Sequence, residues 1–144
     1  MKNLFLSIFM LIGFSGFAQE YDFALGTWEG TMSKKKLTIV IEEVKKDIVK
    51  GYNILGTNKR AIKGKIVSID RGGECGGNGY YCIATLKEPG DDKWDGVFVL
   101  NFSFCPEIGE DGEPLNPNEK VSICSGTWKA NNGKLSGDFM LNRK

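Results

Sequence analysis

The sequence predicts an all-β protein: an eight-stranded antiparallel up-and-down barrel behind a cleaved signal peptide. Three observations carry this. From Gly26 onward apolar residues alternate with polar ones or gather in short runs, and no stretch holds a helical period for three turns. Most links between the runs have hairpin length. A glycine followed two residues later by a large apolar side chain recurs along the chain.

The runs place strands at 26–33, 37–45, 48–56, 60–70, 79–88, 94–105, 120–130 and 134–142. Lys34-Lys35-Lys36, Lys46-Asp47, Pro89-Gly90-Asp91-Asp92 and Asn131-Asn132-Gly133 are short polar links with turn chemistry. Two links are longer, 71–79 and 106–119. None has room for a helical crossover, so consecutive strands pair antiparallel.

The repeated beat is Gly26-Thr27-Trp28, Gly64-Lys65-Ile66, Gly96-Val97-Phe98, Gly126-Thr127-Trp128 and Gly137-Asp138-Phe139. Glycine inside a strand costs stability, so its repetition points to a geometric need. Rolling a small sheet shut demands strong coiling, which glycine kinks permit. Residues two apart share a face, and the sixth strand shows that face best with Trp94, Gly96, Phe98, Leu100, Phe102 and Phe104. A two-sheet sandwich is the alternative, but hairpin-length links lead most simply to meander order.

The first residues read as a secretory signal. Lys2 supplies the positive start, Leu4 to Phe17 the apolar stretch, and Gly16 and Ala18 the small residues before a cut after Ala18. The apolar stretch is too short to span a bilayer, which takes about 20 residues. The expected organisation is a signal peptide at 1–18 and one barrel domain at 19–144, periplasmic or extracellular. No cysteine follows the cut, so a lipoprotein is not expected.

The chain carries 19 basic and 18 acidic residues and no histidine. A balance so near neutrality speaks against nucleic acid as a partner, which requires a basic face, and against an electrostatic membrane anchor. No later stretch is apolar enough to span a membrane. The absence of histidine removes the commonest general base and every Ser-His or Cys-His pair, so no enzyme activity and no catalytic residue is expected. Neither is a cofactor or a metal. There is no C-x-x-C pair to suggest zinc, and the acidic 106–119 link, with Glu107, Glu110, Asp111, Glu113, Asn116 and Glu119, lacks the spacing of a calcium loop.

Four cysteines in an exported chain read as disulfides. Cys75, Cys82, Cys105 and Cys124 gather toward the end of the barrel that bears the two long links. Cys75–Cys82 with Cys105–Cys124 is the first expectation, and Cys75–Cys105 with Cys82–Cys124 the second. The stapled links then form the mouth or working surface.

Gly26-Thr27-Trp28 at the start of the first strand resembles the opening of the calycin barrels, the lipocalins, fatty-acid-binding proteins and avidin group. The eight-strand meander is most similar to the lipocalin and avidin-type members. The resemblance implies that Trp28 plugs one end of the barrel and that a late arginine, here Arg143, packs across it. Where avidin-type members place the Asn and Ser that hold biotin, this chain has Glu29 and Gly30, so biotin binding is not expected.

Two functions follow as expectations. In the first, the lumen binds a small apolar or amphipathic molecule, lined by Trp28, Tyr52, Phe98, Phe102, Trp128 and Phe139. In the second, the barrel is filled by its own side chains, and the long links meet a protein or glycan partner through Tyr80, Tyr81, Glu107, Ile108 and Leu115.

Overall fold

The computed structural model of the chain describes residues 21–70, 79–90 and 92–144. The expected signal peptide and its expected cut lie outside these residues, as does Cys75. A single turn of 3-10 helix, Asp22–Ala24, leads into eight strands: β1 Gly26–Met32, β2 Lys35–Lys45, β3 Ile48–Leu55, β4 Asn58–Ser68, β5 Tyr80–Lys87, β6 Gly96–Phe104, β7 Ile123–Ala130 and β8 Ser136–Arg143. Each pairs antiparallel with the next, and β8 returns to β1 to close the barrel. All eight expected strands are present, with ends displaced by at most three residues.

Alternation sets the two faces. Along β6, Gly96, Phe98, Leu100 and Phe102 are buried while Val97, Val99, Asn101 and Ser103 turn outward. Along β4, Ile62 and Ile66 are buried between exposed Ala61, Lys63, Lys65 and Val67. The inner wall is therefore apolar, while the outer one mixes Lys63 and Lys65 with Val97, Val99, Asn101 and Ser103. Among the described residues no helix is long and apolar enough to cross a membrane.

Glycines stand where strands crowd. A β-carbon on Gly64 would sit 1.7 Å from the Thr85 carbonyl oxygen of the adjacent strand. One on Gly126 would sit 2.3 Å from the Val99 carbonyl oxygen and 2.7 Å from the Phe139 ring. Neither contact is tolerable, so the beat marks places where the coiled wall leaves no room for a side chain. A register shift between Ile41 and Glu43 in β2 adds a bulge, a second device for bending the sheet.

One end of the barrel is sealed. The 3-10 turn lies there, and the Trp28 indole N–H donates to the Ala24 carbonyl at 3.0 Å. Phe23 stacks on Tyr80 with ring centroids 4.3 Å apart and meets Phe102 edge-on. Arg143, paired with Trp28 across the closing seam, donates through Nη1 to Leu25 O at 2.7 Å, through Nε to Val121 O at 3.0 Å, and through Nη2 to Phe23 O. Its guanidinium carbon is 4.4 Å from the Trp28 ring centroid. Burial holds the Arg143 pKa below its ordinary value, partly countered by Tyr80. The 105–122 link, the seal and the last residues of the chain share this end.

The disulfide expectations require correction. Cys82 and Cys124 are both buried thiols, so Cys75–Cys82, Cys105–Cys124 and Cys82–Cys124 are not formed. Registry explains the last case. Cys82 and Cys124 are both cross-strand partners of Phe102, one on each side of it. Two strand spacings, about 10 Å, separate them, beyond the roughly 7 Å that a disulfide tolerates between α-carbons. No two described cysteines are joined to each other.

Candidate functional site

The barrel opens at the other end, among the short turns β1–β2, β3–β4, β5–β6 and β7–β8. A cavity of about 470 Å³ enters there, between apolar walls that include Met32, Leu55, Phe98, Trp128 and Leu135. Asn53, Arg60 and Glu88 bring polar groups to it. Below it the lumen is filled: Trp28, Ile39, Ile62, Leu100, Phe102 and Leu141 have almost no exposed surface. The expected mouth at the long links falls partly on 71–78, outside the described residues; at the end of the 105–122 link the described residues form the seal.

A polar constellation sits beside the apolar walls. Glu88 follows β5 in inward register after Leu86 and is only 3 % exposed. Its Oε1 accepts from Asn53 Nδ2 at 2.9 Å; its Oε2 accepts from Gly96 N at 2.7 Å and from Trp128 Nε1 at 3.2 Å. A buried carboxyl without partners is costly, and three N–H donors offset that cost. These bonds join the end of β5 to β3, β6 and β7. Arg60 on β4 donates through Nη1 to Asp95 Oδ1 at 2.8 Å and to the Trp94 carbonyl at 2.6 Å. Asn131 ties the β5–β6 and β7–β8 turns together through bonds to the Asp95 and Gly90 carbonyls. The mouth is thus held by hydrogen bonds that span the barrel, and a site held this way is preformed.

The six expected lumen residues separate into three groups. Phe98 and Trp128 line the cavity. Trp28 and Phe102 belong to the packed, sealed half, and Phe139 is 6 % exposed and packs on Phe98 with centroids 6.0 Å apart. Tyr52 stands between inward Gly51 and Asn53 and turns outward, with Lys59 Nζ 3.8 Å from its ring centroid.

The five expected surface residues also divide. Tyr80 faces inward onto Phe23, where burial raises its pKa against a backbone hydrogen bond at Val121. Tyr81 is outward and donates to Asn101 Oδ1 at 3.3 Å. Glu107, Ile108 and Leu115 lie in the 105–122 link, which is ordered by an Ile108–Pro114 bridge and by bonds from Leu115 N to Glu107 O and Gly109 N to Glu113 O.

A larger concavity, about 770 Å³, is a trough on the outer wall of β3–β5, bordered by Lys50, Lys63, Lys65 and Lys87. Its charged outer-wall side chains distinguish it from the apolar lumen. Sequence reasoning did not find Asn53, Arg60, Glu88 or Asp95.

The geometry defines a class: a closed eight-stranded meander barrel, sealed at the end where the chain enters and hollow at the other, an architecture compatible with the calycins. Comparisons with protein-family models, curated proteins and solved structures return no match to the chain, so the class rests on the barrel alone.

Proposed function

We propose that this chain is an exported, calycin-like binding protein that holds a small apolar or amphipathic molecule in the open half of its barrel. The observation that carries this reading is the cavity of about 470 Å³, above the roughly 300 Å³ at which ligand pockets begin. An apolar body fits between Phe98, Trp128 and Leu55. A polar group on the same molecule meets Asn53, Glu88 and Arg60 at one side of the walls. Binding rather than catalysis is proposed, because apolar walls dominate the cavity and the chain has no histidine to serve as general base.

Native mass spectrometry of the exported protein tests the reading. A co-purifying small molecule of fixed mass, lost on denaturation, supports it. A bare chain that also fails to take up any lipid or aromatic amphiphile contradicts it.

One observation favours a second reading. The 105–122 link is ordered, yet it leaves Leu115 63 % exposed. In that reading the link docks on a protein or glycan. A partner captured by the intact chain and lost on trimming 106–119 would support it.

A further inference from the structure

We infer that the open end is also a docking surface for an anionic lipid bilayer. Near-neutral overall charge conceals a division along the barrel axis. Lys34, Lys35, Lys59, Lys93 and Lys134 are exposed in or beside the turns of the open end. At the sealed end the exposed acids of the link, Glu107, Glu110, Asp111, Glu113 and Glu119, outnumber the exposed Lys45, Lys46, Lys120 and Lys144. Acids do occur at the open end: Asp95 is paired with Arg60 and Glu88 is buried, while Asp92 and, two residues into β8, Asp138 are exposed. The lysines outnumber them.

Within this cationic rim two large apolar side chains face solvent at the cavity mouth: Trp94, 52 % exposed, and Leu135, 43 % exposed. Trp94 is not a loose loop residue. Its N–H donates to Asp92 Oδ1 at 3.1 Å and its carbonyl accepts from Arg60 at 2.6 Å. The backbone is pinned while the indole projects, with Lys93 Nζ 5.0 Å from its ring centroid. Asn131 locks the turn bearing Leu135 to the one bearing Trp94. A rigid indole and a leucine inside a ring of lysines match a membrane interface, where tryptophan settles at headgroup depth and lysines meet anionic headgroups. Charge complementarity and the paired apolar anchors select the bilayer over an acidic polymer, which would leave Trp94 and Leu135 in water. The contact is peripheral, and it aims the mouth of the lumen at the lipid.

The test is partition of the purified chain, with no lumen probe added, between buffer and vesicles. One set is phosphatidylcholine alone; the other also contains phosphatidylglycerol. Binding is expected with the anionic vesicles only, with a blue-shifted tryptophan emission and reversal by salt. Trp94→Ala is expected to abolish the shift. Lys93→Glu with Lys134→Glu is expected to weaken partition about tenfold or more. These exposed positions leave the fold intact, which circular dichroism checks. Equal partition into both vesicle types, no partition, an unchanged Trp94→Ala, or binding to soluble polyglutamate in place of vesicles would each overturn the inference. Lumen binding is read separately by an apolar probe, so failure of the docking surface and failure of the proposed ligand site are distinguishable.

Discussion

Arg143 lies across Trp28 at the seam where the last strand meets the first, its guanidinium carbon 4.4 Å from the indole centroid. The same side chain reaches the Phe23, Leu25 and Val121 carbonyls. One residue therefore closes the sheet, anchors the entering chain and caps the sealed end. Charged hydrogen bonds contribute about 1.5–3 kcal/mol each, and a partly buried cation over indole adds about 1. Arg143→Ala is expected to cost about 3 kcal/mol or more in urea unfolding and to red-shift Trp28 emission. Arg143→Lys is expected to recover little, since a single ammonium cannot serve three carbonyls in a fixed fork.

The glycine beat makes a steric prediction. Gly64→Ala places a methyl 1.7 Å from the Thr85 carbonyl oxygen, and backbone on a paired strand has nowhere to retreat. A loss of about 3 kcal/mol is expected, at the upper end of overpacking costs. Ala61→Gly, an exposed outer-wall change on the same strand, is expected to cost no more than about 1 kcal/mol. Equal effects of the two substitutions would contradict a coiled, crowded wall.

The thiols predict an alkaline sensitivity. Burial pushes Cys124 up to about 12 from an ordinary 9.0. An acid whose folded pKa is raised keeps its proton in the folded state after the unfolded state has lost it, so stability falls as pH rises from 9.0 toward about 12. Tyr80 is shifted in the same direction and adds to the loss. Cys82 and Cys124 are expected to resist iodoacetamide in the native protein at pH 8 and to react on unfolding. With both as thiols, the one pairing left to the chain is Cys75–Cys105, which a non-reducing peptide map detects.

The β1–β2 turn is expected to be improvable. Ser33 and Lys34 adopt φ of 51° and 65°, the left-handed pair that favours Asn-Gly. Ser33→Asn with Lys34→Gly is expected to raise stability by about 1 kcal/mol, read as a higher melting temperature.

Much of the fold was legible because barrel strands are governed by local rules. Period-two alternation placed all eight, and glycine spacing marked the crowded wall. The pairing of Trp28 with Arg143 follows from a resemblance, and the structure gives its geometry. The candidate site was harder to read. Asn53 meets Glu88, and Arg60 meets Asp95, each across 35 residues. Such meetings depend on the stagger of strands around the barrel, which no local pattern displays. Glu88 did leave one signal: it continues the inward series Tyr80, Cys82, Ala84, Leu86. Tyr52 turns outward because its neighbours Gly51 and Asn53 take the inward register. The seal is invisible to sequence patterning because the turn Asp22–Ala24 is too short to show a period.

Displacement of a fluorescent apolar probe reads ligand binding in the open half of the barrel. The intact chain is expected to take up one probe, to release it to a long-chain amphiphile, and to bind it equally well after 106–119 is trimmed. Leu55→Trp, which fills the mouth, is expected to weaken uptake at least about tenfold. No uptake by the intact chain, or uptake that survives Leu55→Trp and disappears with the trimmed link, would contradict the account.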